Sequence, residues 1–309
     1  MRSSTATGTT ATADREATYR GRFAPSPTGR LHLGSLVAAL GSYLDARSHH
    51  GQWLIRIEDL DTPRVLPGAT HELVSTLAKL GLHSDEPVLL QSQRIAVYED
   101  ALGRLESAGT LYRCSCSRAD TAAGPYTGRC RNGPTGAAPY SLRLRLDPDG
   151  DCAFFDRIQG AQRHQNRALG DPILRRRDGQ IAYLLAVVVD DAAQGVTDVV
   201  RGADLLSATA WQVQIAAALG LPPVRYAHLP VVLDADGAKL SKSRSAAALA
   251  ELPPAQALMK GLALLRQNPP PQLGKAVVED ILAWAVIHWQ PEALHGVAEI
   301  RPSHCDLGL

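Results

Sequence analysis

The chain has 309 residues, a formal net charge of +1 and an apolar content of 45%. This length accommodates one large domain or two to three smaller ones, and the apolar content is sufficient for a core. No apolar run approaches the roughly 20 residues that cross a bilayer, so no membrane partner is expected. The five cysteines are unevenly spaced. Such spacing is unlike the framework of a small secreted disulfide protein and favours a reduced, cytoplasmic setting.

Residues 1–18 are rich in Thr, Ala and Ser. They lack the apolar core of a signal peptide, and the acidic residues Asp14 and Glu16 are atypical of a transit peptide. We therefore predict that this segment is a disordered extension, with a misassigned start as the alternative.

The next segment has the order of a phosphate-binding site. Residues 19–24 favour a strand, residues 25–29 form a loop with two prolines and a glycine, and residues 31–44 favour a helix. Unpaired N–H groups and the helix dipole then point at the loop, where His32 and Ser35 add side-chain donors. The pattern predicts a cradle for nucleotide phosphates. An ordinary Pro-rich turn with a helix-capping histidine is the alternative.

The following elements indicate an α/β fold with a parallel sheet. Further strands are expected at 52–57, 181–189, 196–200 and 231–233, and helices at 36–47, 69–80, 95–108 and 206–219. Ligands of parallel sheets bind beyond the carboxyl ends of the strands, so the loop at 25–29 and Glu58 are expected at one edge. Asp190 and Asp191 are expected to be strand-end carboxylates, with a contact to a ribose or a metal as the alternative.

Residues 111–170 have a different composition and are predicted to form an insertion with antiparallel strands. Apolar and polar residues alternate over 140–146, and the residues at 147–150 (Asp-Pro-Asp-Gly) favour a tight turn. We therefore expect the strand at 152–156 to return along the strand at 140–146 as a hairpin.

The cysteines of this insertion suggest a metal. Cys114, Cys116 and Cys130 occur within a Gly-rich stretch, and three thiolates together are typical of a structural zinc site. The fourth ligand is open on physical grounds between Tyr126, Cys152 and a water. Three free thiols are the alternative to a metal site.

A late loop carries two lysines. Lys239 and Lys242 lie three residues apart, with Ser241 between them and Ser243 after them. Such a loop can neutralise charge that develops during phosphoryl or nucleotidyl transfer, whereas a solvated basic loop is the alternative. The residues that follow, 246–309, are rich in Ala and Leu and are predicted to be helical.

Four separated residues could together bind an amino acid. They are Arg22, Glu58, Tyr183 and Arg201, of which the two arginines and the one carboxylate could bind an amino acid that carries two carboxylates and an ammonium group. From the residues alone, surface ion pairs explain the charged members equally well.

The first and last of these motifs together resemble the paired signatures of the class I aminoacyl-tRNA synthetases. The first signature reads His-Leu-Gly-Ser at 32–35, with Ser35 in place of the second histidine, and the second reads Lys-Leu-Ser-Lys-Ser at 239–243. The resemblance implies a Rossmann-like nucleotide-binding domain at 19–110 and 171–245, a zinc-containing insertion at 111–170 and a short helical region at 246–309.

Three further stretches resemble the glutamyl and glutaminyl branch of that family. They are Arg-Phe-Ala-Pro-Ser-Pro-Thr-Gly at 22–29, Ile-Arg-Ile-Glu-Asp at 55–59 and Val-Val-Arg-Gly-Ala-Asp at 199–204. The resemblance implies that glutamate is bound by Arg22, Phe23, Ala24, Pro25, Ser26, Glu58, Tyr183 and Arg201. It implies that ATP, with Mg²⁺, is bound by His32, Gly34, Ser35, Lys239, Ser241 and Lys242, of which His32 and Lys242 are catalytic. It also implies Tyr126 as the fourth ligand of one zinc ion.

Length then favours one group within that branch. The 66 residues that follow Ser243 are too few for the anticodon-binding region of a glutamyl-tRNA synthetase. The chain therefore resembles the glutamyl-queuosine tRNA(Asp) synthetases, which activate glutamate with ATP without tRNA and transfer it to the queuosine base of the tRNA(Asp) anticodon. The resemblance also implies a monomer. The alternatives are a short enzyme that charges the 3′ end of tRNA(Glu) and a catalytically silent, zinc-containing RNA-binding module.

Overall fold

The computed structural model describes residues 18–117, 119–121, 124–233, 249 and 251–301. Its strands are β1 (Arg20–Phe23), β2 (Gln52–Ile57), β3 (Leu89–Leu90), β4 (Leu111–Cys114), β5 (Ser141–Leu144), β6 (Asp151–Asp156), β7 (Gly160–Gln165), β8 (Ile173–Arg175), β9 (Asp198–Gly202), β10 (Arg225–Leu229), β11 (Val231–Val232) and β12 (Glu299–Ile300). Its helices are α1 (Leu33–Ser48), α2 (Ala69–Lys79), α3 (Ile95–Ser107), α4 (Asn166–Leu169), α5 (Tyr183–Ala193), α6 (Leu206–Ala218), α7 (Pro254–Leu264) and α8 (Val278–Ile287).

Two parallel arrays of strands lie side by side at the centre of the fold. In one array β1, β2 and β3 pair in parallel, and in the other β9, β10 and β6 pair in parallel with β7 as an antiparallel edge. The arrays meet where the Thr197 N–H donates to the Arg20 carbonyl oxygen at 2.9 Å. The strand order is thus β3-β2-β1-β9-β10-β6-β7, which confirms the predicted α/β fold with a parallel sheet.

Helix α1 fills the space between this sheet and the two C-terminal helices. It packs against β1 and β9 on one side and against α7 and α8 on the other. Leu36, Leu40 and Leu44 are fully buried as a result. Gly41 is required by the close approach of the sheet, because a Cβ atom there would lie 2.6 Å from the Cδ1 atom of Leu229. Helix α1, which begins within the first signature at residues 32–35, is therefore packed firmly into the core.

The strand predicted at 181–189 is wrong, because this segment begins helix α5. Its apolar run Leu184–Val189 is buried on all sides between α3, α6 and the strands β5 and β8. A helix that is buried all round has no polar face, so the 3.6-residue period that identifies a surface helix is missing. Asp190 and Asp191 consequently lie inside a helix and are not strand-end carboxylates.

The hairpin predicted around residues 147–150 is also wrong, although the turn itself forms. The Gly150 N–H donates to the Asp147 carbonyl oxygen at 3.2 Å. The strands on either side, β5 and β6, then join different sheets: β5 pairs with β4 and β8, and β6 pairs with β7 and β10. The predicted insertion at 111–170 thus contains strands of two sheets. Its limits as a domain stay a prediction.

The remaining described elements agree with the predicted types. Helices are present where they were expected at 36–47, 69–80, 95–108 and 206–219. The expected helical region after residue 246 contains α7 and α8, together with the short strand β12, which pairs with β11. Within the described residues every helix is too short or too polar to cross a bilayer. The predicted extension at 1–18 lies, apart from residue 18, outside the described residues.

Two helical glycines test this account of the packing. Replacing Gly41 with Ala forces a methyl group against Leu229, so we expect the free energy of unfolding to fall by about 1–3 kcal/mol. Gly103 is exposed in α3 and has no atom within 4 Å of the added Cβ, so Gly103→Ala should raise it by about 0.5–1 kcal/mol. Urea denaturation measures both changes. Stabilisation of similar size at the two positions would contradict the packing described for α1.

Candidate functional site

A cavity of about 710 Å³ opens at the carboxyl ends of β1, β2, β9 and β10. The predicted site residues that line it are Arg22, Phe23, Ala24, Pro25, Ser26, His32, Gly34, Ser35, Glu58, Tyr183 and Arg201. The edge of a parallel sheet therefore brings together residues that are up to about 180 positions apart in the chain. The roles that the sequence assigns to them stay predictions.

One end of the cavity is the N-terminus of helix α1. His32 is the residue before the helix, where the Ser35 N–H donates to its Nδ1 atom at 3.2 Å and the Leu36 N–H donates to its carbonyl oxygen at 2.9 Å. The first turn of α1 contains no acidic residue. Because a helix N-terminus and its dipole favour negative charge, this end of the cavity can hold an anion such as a phosphate. The histidine therefore caps the helix, which was the alternative considered from the sequence, and its Nε2 atom lies 2.9 Å from Ser35 Oγ.

The other end of the cavity is built on buried charges. Arg22 is 2% exposed and donates from Nε and Nη2 to the two carboxylate oxygens of Asp191, at 3.0 and 3.3 Å. Arg56, which is fully buried, donates to the same carboxylate at 2.7 Å. Burial opposes ionisation of Asp191, but the two guanidinium groups hold its pKa below the ordinary value. Asp191 thus fixes the orientation of Arg22.

Asp190 anchors the same helix to its other neighbours. Its carboxylate accepts hydrogen bonds from Arg94 Nε at 2.7 Å, Tyr98 Oη at 2.7 Å and Gln91 Nε2 at 2.9 Å. Neither Asp190 nor Asp191 lines the cavity. Both carboxylates hold protein donors in place, and a direct contact with a ribose or a metal, the alternative considered from the sequence, is not supported.

Glu58 is the one acidic residue of the predicted pocket. Its backbone N–H donates to the Pro25 carbonyl oxygen at 2.9 Å, which fixes its position beside the first loop. Within the described residues no hydrogen bond or ion pair reaches its half-buried carboxylate. Burial raises the pKa of Glu58, and the cations Arg56 and Arg22 oppose that rise. A carboxylate in this setting is suited to a cationic ligand group.

Arg201 supplies a second buried cation, 7% exposed, whose protein partners are uncharged. Its Nη2 atom donates to Thr209 Oγ1 at 2.8 Å and to Gln212 Oε1 at 2.7 Å, and its Nε atom donates to His228 Nε2 at 3.1 Å. Burial lowers the pKa of Arg201, and the neighbouring Arg22 lowers it further. No carboxylate pairs with this cation among the described residues, so an anionic ligand group can do so.

Sequence reasoning missed Gln212, which lines the cavity. This residue is 2% exposed, and its Nε2 atom is a buried donor without a partner within the part of the chain that the structure describes. Thr209 and Gln212 are polar residues three positions apart in a helix that is otherwise largely apolar. Two polar residues at this spacing lie on one face of the helix, and this pattern could have identified Gln212 from the sequence. The polar face of α6 adds donors to the pocket beside Arg201.

Tyr183 stands between this cavity and a second one. It begins helix α5, is 43% exposed and lines both the first cavity and a neighbouring cavity of about 740 Å³. The second cavity extends to Cys116 and Trp211. Burial raises the pKa of Tyr183 despite the nearby Arg201 cation, so its hydroxyl stays protonated and can donate.

The predicted metal-binding cysteines form a compact group. The sulfur atoms of Cys114, Cys116 and Cys130 all lie within 4.8 Å of one another, with 3.6 Å between the last two. The Tyr126 hydroxyl is 3.4 Å from Cys114 Sγ. Two thiolates at about 2.3 Å from a tetrahedral zinc are about 3.8 Å apart, so the three sulfurs suit such an ion. Cys152 lies on β6, outside this group.

Hydrogen bonding favours a thiolate at Cys130. Burial alone raises the pKa of this thiol, but donors from the backbone of Thr135 and Ser115 and from the Tyr126 hydroxyl lower it to about 5. Burial and the neighbouring cysteines instead raise the pKa of Cys116 to about 11. A metal takes thiolates as ligands. Cys130 can therefore bind a metal without first losing a proton, whereas Cys116 would lose its proton on binding.

Lys239, Ser241 and Lys242 lie outside the described residues. Val231 and Val232, shortly before them in the chain, line the cavity.

Comparison with known proteins gives a consistent assignment. The catalytic domain of the class I tRNA synthetases (E and Q) matches residues 18–123 and 126–265. A glutamyl-Q tRNA(Asp) synthetase of Aromatoleum aromaticum is 52% identical over 88% of this chain and 89% of its own length. A glutamyl-Q tRNA(Asp) synthetase of Xanthomonas campestris is 50% identical over 91% of this chain and 95% of its own.

Among solved structures, a glutamate-tRNA synthetase of Elizabethkingia anophelis is similar to this chain with a TM-score of 0.77 and 25% identity. The similarity covers 94% of this chain and 69% of that protein.

Proposed function

Because the chain belongs to the class I tRNA synthetases of the E and Q type, and is thus a ligase of the aminoacyl-tRNA synthetase kind, we propose that it glutamylates queuosine. In this proposal it activates glutamate with ATP in the absence of tRNA. It then transfers the glutamyl group to the queuosine base at the anticodon wobble position of tRNA(Asp). The relatives at about 50% identity, which carry the name glutamyl-Q tRNA(Asp) synthetase, support this substrate.

The observation that carries the proposal is a single cavity with two chemically different ends. One end is a helix N-terminus suited to phosphates, and the other contains two arginines and the Glu58 carboxylate; Asp204 also lines the cavity. Glutamate has two carboxylates and one ammonium group, which is the charge complement of that second end. Glutamyl adenylate contains a phosphate and a glutamyl group in one molecule. One cavity can therefore hold the phosphate at one end and the glutamyl group at the other.

The proposed glutamate contacts follow from which charges are already paired. Glu58 takes the ammonium group, since its carboxylate has no partner among the described residues. Arg201 takes a carboxylate, since its partners are uncharged, while Arg22 offers the guanidinium nitrogen that Asp191 leaves open. Residues 23–26 and Tyr183 form the walls of the pocket.

In the proposed activation step, a carboxylate oxygen of glutamate attacks the α-phosphorus of ATP in line. A new O–P bond forms, the bond to the β-phosphate oxygen breaks, and pyrophosphate leaves with its electron pair. Positioning and charge stabilisation supply most of the catalysis in such reactions. His32, the N–H group of Gly34 and the hydroxyl of Ser35 hold the phosphates, and Lys242 stabilises the developing charge. Mg²⁺ bound with ATP offsets further negative charge.

In the proposed transfer step, a hydroxyl of the queuosine cyclopentene ring attacks the carbonyl carbon of the glutamyl adenylate. An ester bond forms, the bond to the phosphate oxygen breaks, and AMP leaves. The hydroxyl proton passes to a base or to AMP.

We further propose that the cysteine group binds one structural zinc ion. Cys114, Cys116 and Cys130 would supply three sulfur ligands, and the hydroxyl of Tyr126 the fourth. The zinc would tie together strand β4 and the loop that contains Tyr126 and Cys130. It takes no part in the two chemical steps.

Exchange of labelled pyrophosphate into ATP tests the activation step. We expect exchange that depends on glutamate and needs no tRNA, because the proposed activation step uses only glutamate, ATP and groups of the protein. Lys242→Ala should lower the rate by at least about 100-fold if that lysine stabilises the transition state. Labelled glutamate should then appear on tRNA(Asp) that contains queuosine and not on the same tRNA without it. Absence of exchange would contradict the proposal, and charging of tRNA(Glu) at its 3′ end would favour a short glutamyl-tRNA synthetase.

Metal analysis of the purified protein tests the zinc site. Wild-type protein should contain about one zinc per chain, and Cys130→Ser should lose it because a three-ligand remnant binds zinc poorly. Cys152→Ser is the matched control and should retain the metal, since Cys152 lies on β6 outside the group. Zinc retained by the Cys130 variant, or lost from the Cys152 variant, would exclude this assignment.

A further inference from the structure

The buried contacts behind Arg201 form a chain that crosses three neighbouring strands. Arg201 on β9 is opposite His228 on β10, and Asp156 ends β6 on the far side of β10. His228 and Asp156 are fully buried, and neither lines the cavity. His228 Nε2 lies 3.1 Å from Arg201 Nε and 3.2 Å from Thr209 Oγ1, and of these two partners Arg201 lines the cavity.

The hydrogen bonds determine which nitrogen of His228 carries the proton. Asp156 Oδ1 accepts backbone N–H groups from His228, Ile158 and Gln159 at 3.1, 3.0 and 2.8 Å, and its Oδ2 lies 2.5 Å from His228 Nδ1. Burial raises the pKa of Asp156, but these donors hold it below the ordinary value. Asp156 is thus a carboxylate, and the Nδ1 atom of His228 must donate to it.

The other nitrogen of His228 must then be an acceptor. Arg201 has only donors, and its Nε atom lies 3.1 Å from His228 Nε2. A proton on Nε2 would place two N–H groups face to face and two cations in contact. Burial and the Arg201 cation accordingly lower the pKa of His228, although Asp156 opposes this. His228 is neutral and presents a lone pair to the guanidinium group.

The other hydrogen bonds of the Arg201 guanidinium group leave its Nη1 atom available to a ligand. Nη2 is held by Thr209 and Gln212, and Nε is held by His228. Nη1 has no protein partner within the described residues, and Arg201 lines the cavity. We propose that Asp156 and His228 are positioning residues that orient the Arg201 guanidinium, so that Nη1 meets a carboxylate of the substrate. This inference rests on the proposed function, in which Arg201 binds glutamate.

Two replacements of His228 separate its two hydrogen bonds. The amide of His228→Asn occupies the place of Nδ1, so it keeps the contact with Asp156 and leaves Arg201 without its acceptor. The longer side chain of His228→Gln places an amide oxygen near the position of Nε2, where it can accept from Arg201. A role in orienting Arg201 predicts different results for the two variants, whereas a purely structural role predicts similar losses.

Glutamate-dependent pyrophosphate exchange supplies the readout. For His228→Asn we expect the KM for glutamate to rise by about tenfold or more, with kcat changed less than about threefold and the KM for ATP unchanged. His228→Gln should stay within about threefold of the wild-type KM. His288→Asn, at the exposed residue that follows α8, is the control and should change none of these values.

Asp156→Asn provides a second test if His228→Asn does not fold. An amide at position 156 donates to Nδ1 and moves the proton of His228 to Nε2, where it opposes Arg201. The KM for glutamate should rise as in His228→Asn. Unchanged KM values, or an equal loss of kcat in both His228 variants without a change in KM, would overturn the inference. Wild-type protein without exchange would instead overturn the proposed function itself.

Discussion

The site depends on one buried carboxylate that holds two arginines. Asp191 lies within helix α5 and receives hydrogen bonds from both Arg22 and Arg56. Two guanidinium groups so deep in the protein would repel each other and lose their hydration without an anion between them. Removing one partner of such a buried pair typically costs about 3–5 kcal/mol. Arg22 can therefore lie at the cavity because helix α5 brings Asp191 to its guanidinium group.

As a result, the charged residues of the cavity are paired with protein charges to different extents. Arg22 is paired with Asp191, Arg201 is held by uncharged partners, and the Glu58 carboxylate has no hydrogen-bond or ion-pair partner within the described part of the chain. The helix N-terminus at Leu33 adds a phosphate-binding end to the same cavity. Each charged group of the substrate can thus be assigned to a protein charge that has no charged protein partner. The proposed glutamate contacts follow from this assignment. The proposed role of Asp156 and His228 follows from it as well, because they orient Arg201.

Local patterns in the sequence predicted those parts of the molecule that local interactions determine. The strand β2, the helices α1, α2, α3 and α6 and the cysteine group all follow from short-range periodicity or spacing. Helix α5 was mistaken for a strand because burial on every side removes its polar face. The partners of Asp191 and His228 were not predictable, since Arg22 is 169 residues from Asp191 and Asp156 is 72 residues from His228. Only the packed fold brings such pairs together.

The most direct test of the central claim is a crystal structure with a non-hydrolysable sulfamoyl analogue of glutamyl adenylate. The account predicts that the analogue fills the cavity at the carboxyl ends of the strands. Its ammonium group should lie against Glu58, its side-chain carboxylate against Arg201 Nη1 and its sulfamoyl group at the N-terminus of α1. Two results would contradict the claim that unpaired charges mark the glutamate end of the cavity and the helix N-terminus marks the phosphate end. One is an analogue bound outside this cavity, and the other is an analogue bound with its two ends reversed.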